Sequence, residues 1–157
     1  MSAPVFEVIR KEIEAILPRY PRKEAALLPA LHIVQRKLGF IPPEGEKLVA
    51  QLLEVKPVRV REVVTFYTMF TRKPLGKYHL QVCSNLSCSL AGGESILLYL
   101  EEKLGIKAGE TTSDGRFTLS TVECLGACDQ GPCLMVNYDL YGQLDRAKVD
   151  ELLAKLD

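Results

Sequence analysis

The sequence predicts an α/β domain preceded by an N-terminal helical bundle, and three observations carry that expectation. Apolar residues recur at helical spacing through residues 1–73. Pro74-Leu75-Gly76 then interrupts the pattern with a turn-forming cluster. Beyond it the apolar period switches to the alternation of strands, starting at Tyr78, Leu80 and Val82. The expected units are therefore 1–73, helical, and 77–157, α/β.

In the first unit, Phe6, Ile9, Ile13, Ile16 and Leu17 form one stripe, closed by Pro18 and Pro21. Leu27, Leu31, Val34 and Leu38 form a second, ended by Gly39. Pro42-Pro43 starts a third helix with Leu48, Val49, Leu52 and Leu53 as its buried edge. Pro57 opens a fourth through Val60, Val63, Val64 and Tyr67, although the β-branched run Val58–Thr65 also suits a strand. In the second unit, Tyr78–Val82 reads as a strand running into Cys83, and Ile96, Leu97, Leu100 and Leu104 as a helix from Gly92-Gly93 to Gly105. Phe117, Leu119 and Thr121 alternate along a second strand into Cys124. Leu134–Val136 reads as a buried strand, and 138–143 as a hairpin turn with a short fourth strand. Val149, Leu152, Leu153 and Leu156 mark a closing helix. Leaving aside the short fourth strand, the order β-α-β-β-α is that of an α/β domain of thioredoxin-like type.

Composition narrows the function. Lys+Arg and Asp+Glu balance at 20 each, which argues against a nucleic-acid binder that must neutralise phosphate. A helix-turn-helix reading is disfavoured on the same ground, because 58–67 offers only Arg59 and Arg61 against Glu62. The apolar stretches fall well short of the roughly 18 residues a spanning helix needs, so no direct membrane insertion is expected. The opening MSAPVFEVIRKEIEAIL carries charges every few residues and does not read as an export leader. A reducing cytoplasm is expected, where paired cysteines bind metal or react more often than they form disulfides.

Four of the five cysteines form two pairs, Cys83-x4-Cys88 and Cys124-x3-Cys128. In the predicted layout each pair sits where a strand gives way to a loop, at one sheet edge. Gly92, Gly93, Gly126 and Gly131 flank them and allow close backbone approach and exposed N–H groups. Thiolates suit zinc, copper(I) or iron–sulfur clusters. Structural zinc tolerates these spacings, whereas a disulfide oxidoreductase wants C-x-x-C at a helix start, which neither pair has. The spacing also lacks the C-x2-C runs of common ferredoxins, so it does not choose between zinc and an iron–sulfur cluster.

FYTMF (66–70), GKYHLQVCSNLSCSLAGGESILLYLEEKLGI (76–106) and TSDGRFTLSTVECLGACDQGPCLMVNYD (112–139) together resemble one family. It is the thioredoxin-like [2Fe-2S] subunit of bacterial NADH–quinone oxidoreductase, and the resemblance extends back to about Tyr20. It implies that Cys83, Cys88, Cys124 and Cys128 are the four cluster ligands, one pair on each iron. It further implies a flavoprotein partner subunit carrying FMN and NADH, bound as a heterodimer in the peripheral arm of a complex on the cytoplasmic side of the inner membrane. The equivalent small subunits of NAD-dependent formate dehydrogenases and NAD-reducing hydrogenases are similar in sequence. The chain has no G-x-G-x-x-G fingerprint, so by itself it is expected to turn over no NADH.

One position departs from the family: Gly131-Pro132-Cys133 stands where members commonly carry Ala-Pro and an aliphatic residue. Cys133 is expected to pack in the core rather than to ligate. His32 and His79 lie on separate elements away from the cysteine loops, and neither is expected to have a site role.

Overall fold

The computed structural model describes residues 3–156, which fall into two compact units, 3–74 and 75–156.

The first unit holds four helices: α1 (Ala3–Ile16), α2 (Leu27–Leu38), α3 (Pro43–Leu53) and α4 (Pro57–Phe66). Proline starts α3 and α4 at the position whose N–H has no intrahelical acceptor. The β-branched run is helical because Val60, Val63 and Val64 recur on one face and bury into the core with Ile9, Ile13, Leu31, Val34 and Val49. Burial of that stripe outweighs strand propensity, which is a weak local preference. The core also contains a charge. Buried Glu46 accepts from Arg61 Nε at 2.6 Å and Arg72 Nε at 3.2 Å, tying α3 to α4 and to the segment that follows it.

The second unit is a four-stranded sheet with helices: β1 (Tyr78–Cys83), α5 (Leu86–Leu90), α6 (Gly93–Leu104), β2 (Phe117–Val122), β3 (Leu134–Val136), β4 (Asp139–Tyr141) and α7 (Arg146–Lys155). Strand order is β2-β1-β3-β4. β1 and β2 run parallel with Cys83 beside Val122, joined through α6 as a parallel pair requires. β3 returns antiparallel to β1, and β4 antiparallel to β3. Leu80, Leu119, Leu134, Leu100 and Val149 are fully buried or nearly so between sheet and helices. Asp145 caps α7 by accepting from the Lys148 N–H at 2.8 Å.

Two details differ from the sequence reading. Cys88 lies on the five-residue helix α5, not in a loop. Five residues are too few to show a helical period. β2 ends at Val122, so Cys124 stands two residues into the loop, whereas β3 spans Leu134–Val136 as expected.

Candidate metal centre

Because β1 and β2 are parallel and in register, their C-terminal ends lie side by side, and both cysteine loops leave the same edge of the sheet. The first pair is built into the structure. Cys83 is the last residue of β1, and Cys88 sits on α5, which turns back against the start of α6. Gly93 makes that turn tight: a Cβ there would stand 2.8 Å from the Cys88 carbonyl oxygen and 3.3 Å from that of Cys83. Only glycine fits so close an approach without a backbone shift.

Cys133 completes the cluster of sulfurs. Its carbonyl accepts from the Cys83 N–H at 3.1 Å, which extends the β1–β3 ladder and sets the residue beside Cys83. Its Sγ lies 3.5 Å from that of Cys88. The sulfurs of Cys83, Cys88 and Cys133 all fall within 4.8 Å of one another, and all three residues are buried. The expected packing position is thus also a position inside the thiol group.

The second pair is placed differently. Cys124 and Cys128 are exposed, while the residues between them point the other way: Ala127 is buried against Cys83, Cys88 and Cys133, and Leu125 packs on the same group. The loop reads Cys out, Leu in, Gly out, Ala in, Cys out. Gly126, at φ +72°, allows this path and donates its N–H to Cys124 Sγ at 3.3 Å. The structure therefore brings Cys83 and Cys88 together and holds the backbone of the second loop against them. It does not converge all four predicted sulfurs.

The electrostatics follow from burial and N–H donors. Burial alone would push the Cys83 thiol up, but the N–H groups of Asn85 and Leu125, with the thiols of Cys88 and Cys133, outweigh it and the net direction is down. Burial and the adjacent Cys83 sulfur raise Cys88. Burial pushes Cys133 up to about 12, and the neighbouring sulfurs of Cys88 and Cys83 add to it. Cys83 thus gives up its proton more readily than an ordinary thiol, while Cys88 and Cys133 hold theirs more tightly. Leu125 also links the loops, since the residue after Cys124 packs against the buried group of Cys83, Cys88 and Cys133.

These residues fit an iron–sulfur group by donor chemistry. Soft sulfurs sit in a water-poor recess, backbone N–H groups point at them, and two more thiols lie on the adjoining loop. The histidines lie elsewhere. His79 Nε2 is 2.7 Å from Ser120 Oγ across β1 and β2, and burial holds its ring below the usual imidazole range. His32 stacks near Phe70 in the helical unit, with ring centroids 4.9 Å apart.

Known proteins resemble this chain over most of its length. Residues 13–157 match the family described as thioredoxin-like [2Fe-2S] ferredoxin. An NADH-quinone oxidoreductase subunit of Rhizobium meliloti (strain 1021) is 52% identical over 145 residues, covering 92% of this chain and 86% of that protein. The like-named subunit of Rickettsia prowazekii (strain Madrid E) is 45% identical over 143 residues, covering 89% of this chain and 81% of the other. Among solved structures, an air-oxidized NAD+-reducing [NiFe]-hydrogenase chain shares the fold at a TM-score of 0.72 and 24% identity. The match covers 83% of this chain and 22% of the hydrogenase chain.

Proposed function

We propose that this chain, which belongs to the thioredoxin-like [2Fe-2S] ferredoxin family, is the one-electron carrier of an NADH dehydrogenase module in a multisubunit complex. Its [2Fe-2S] cluster is held by Cys83, Cys88, Cys124 and Cys128. The observation that carries this reading is the buried sulfur group with a second cysteine loop packed against it. When bound, the cluster supplies storage of a single electron, which a hydride-handling flavin partner needs because hydride delivers two. The chain's own residues do the rest. β1, α5 and Gly93 keep Cys83 and Cys88 in the dry recess, and the N–H groups of Asn85 and Leu125 stabilise charge on sulfur.

The electron donor is a flavoprotein subunit carrying FMN and NADH, bound as a heterodimer on the cytoplasmic side of a membrane-attached complex. Among the described residues no helix is long and apolar enough to cross a membrane, which suits a subunit of a peripheral arm. Two exposed apolar surfaces support a partner. Leu86 and Leu90 stand exposed on α5, beside Cys88. In the helical unit, Val58 and Phe66 are exposed on α4 and Met69 just beyond it, Phe66 by 77%, and such apolar faces suit a clasp on a partner's groove. Quinone as the final acceptor is favoured over the hydrogenase and formate dehydrogenase readings by the names of the relatives at 45% and 52% identity.

Anaerobic reconstitution tests the cluster: iron and acid-labile sulfide are expected in equal amounts, with an EPR signal appearing on one-electron reduction. A colourless protein holding zinc and no sulfide would sink the reading. For the clasp, a chain lacking residues 1–73 should keep the cluster and lose the flavoprotein. Co-purification of the truncated chain with that partner would overturn the role given to the helices.

A further inference from the structure

We infer that Cys133 tunes the redox group held by its neighbours: its buried S–H donates a hydrogen bond to the sulfur of Cys88 and raises the cluster's reduction potential. The inference rests on Cys88 being a cluster ligand, as in the function proposed above. Cys133 is then neither a ligand nor mere filling.

Geometry makes the contact. The two sulfurs are 3.5 Å apart, and each residue is 1% exposed. The position of Cys133 is set by backbone, since its carbonyl accepts from Cys83 N–H and the next residue, Leu134, pairs with Val82. Its backbone cannot move away without breaking the ladder.

Chemistry assigns the direction. A cysteine bound to iron is a thiolate and only accepts hydrogen bonds, so the proton between these sulfurs resides on Cys133. A further anion in a dry recess beside two thiolates is unfavourable, which keeps Cys133 neutral. Reduction adds one electron to the cluster and its ligand sulfurs, and Cys133 keeps its proton throughout. A donor aimed at a ligand sulfur stabilises the added negative charge, so it favours the reduced state. An aliphatic residue at this position would supply packing without the donor.

The test is a redox titration followed by EPR on the reconstituted full chain and on Cys133→Ser, Cys133→Ala and Cys133→Val. Ala and Val, which lack a donor, are expected to lower the midpoint by about 59 mV, about tenfold in the one-electron equilibrium. Iron and sulfide should stay at the wild-type ratio. Ser, which keeps a donor, should remain nearer the wild type. Val fills the recess, so a donor-free variant without a cavity is in the set. Unchanged potentials in Ala and Val overturn the inference, as does a shift in Ser equal to theirs. Loss of iron in Ala and Val alike overturns it by making Cys133 a ligand. A wild-type chain that takes up no iron and sulfide overturns the functional reading itself, and that result comes from the loading step before any potential is read.

Discussion

The two cysteine loops leave the same sheet edge and are built in opposite ways. Cys83 and Cys88 are part of the core: one ends a strand, the other sits on a helix pressed against Gly93, and both are buried beside Cys133. Cys124 and Cys128 ride on a loop whose inward residues are Leu125 and Ala127, so the thiols face out while the backbone faces the site. A recess of this kind can be half preorganised by packing and half completed by the bound group. The packed half sets position and excludes water, and the loop half supplies access for assembly. Metal affinity measured on such a site includes the ordering of the second loop.

Four experiments sharpen or break that contrast, in order of expected effect. Alanine at Cys83, Cys88, Cys124 or Cys128 should each reduce bound iron by at least about tenfold, since removing a ligand exceeds the usual cost of disturbing its surroundings. The apo melts should separate the pairs. Alanine at Cys83 or Cys88 removes a buried sulfur and should lower stability by about 1 kcal/mol, whereas alanine at Cys124 or Cys128 should leave the melt within error. Equal melts for all four would mean that the first pair is not part of the core.

Glycine substitutions come next. Gly93→Ala drives a methyl to 2.8 Å from a backbone oxygen and is expected to cost about 1–3 kcal/mol, because backbone must move. Gly126→Ala meets open space but sits at φ +72°, and about 1 kcal/mol of conformational strain is expected. Urea melts of the two variants give the ranking, and the reverse order would place the tight packing in the second loop.

Alkylation reads accessibility directly. In the apo chain, iodoacetamide should modify Cys124 and Cys128 about tenfold or more faster than Cys83, Cys88 and Cys133, because exposure governs attack as much as thiolate fraction does. Mass spectrometry of timed samples locates the adducts. Early labelling at Cys83, whose thiol is held down by N–H donors, would show that the first pair is open to solvent.

The smallest effect is in pH. Burial holds His79 below its ordinary value, so below about pH 6.5 the unfolded chain binds more protons than the folded one. The His79 contribution to stability is present above that pH and fades as pH falls through the folded value. The strand that carries Cys83 should therefore weaken in mild acid, and His79→Gln should flatten that dependence in denaturant melts at pH 7.5 and 5.5. An unchanged slope would remove His79 from the support of the first pair.

Much of this was legible without coordinates. Period and punctuation located the four N-terminal helices, including α4 with its β-branched run, and the strands and helix of the second unit. Cysteine spacing located a metal-binding stretch, and the resemblance carried by ECLGAC and its neighbours supplied the cluster type. Helix α5 escaped because a five-residue helix has no readable period, and the place of Cys133 escaped because its apolar neighbours read as core. Sequence by itself determined which residues can bind soft metal and which stripes must be buried, since donor chemistry and local periodicity are properties of the chain. Only the tertiary structure decided which sulfurs meet. That outcome depends on β3 pairing with β1 and placing a residue 45 positions beyond Cys88 within 3.5 Å of its sulfur. Non-local strand pairing leaves no local signature, so a fifth cysteine that reads as packing turns out to touch a predicted ligand.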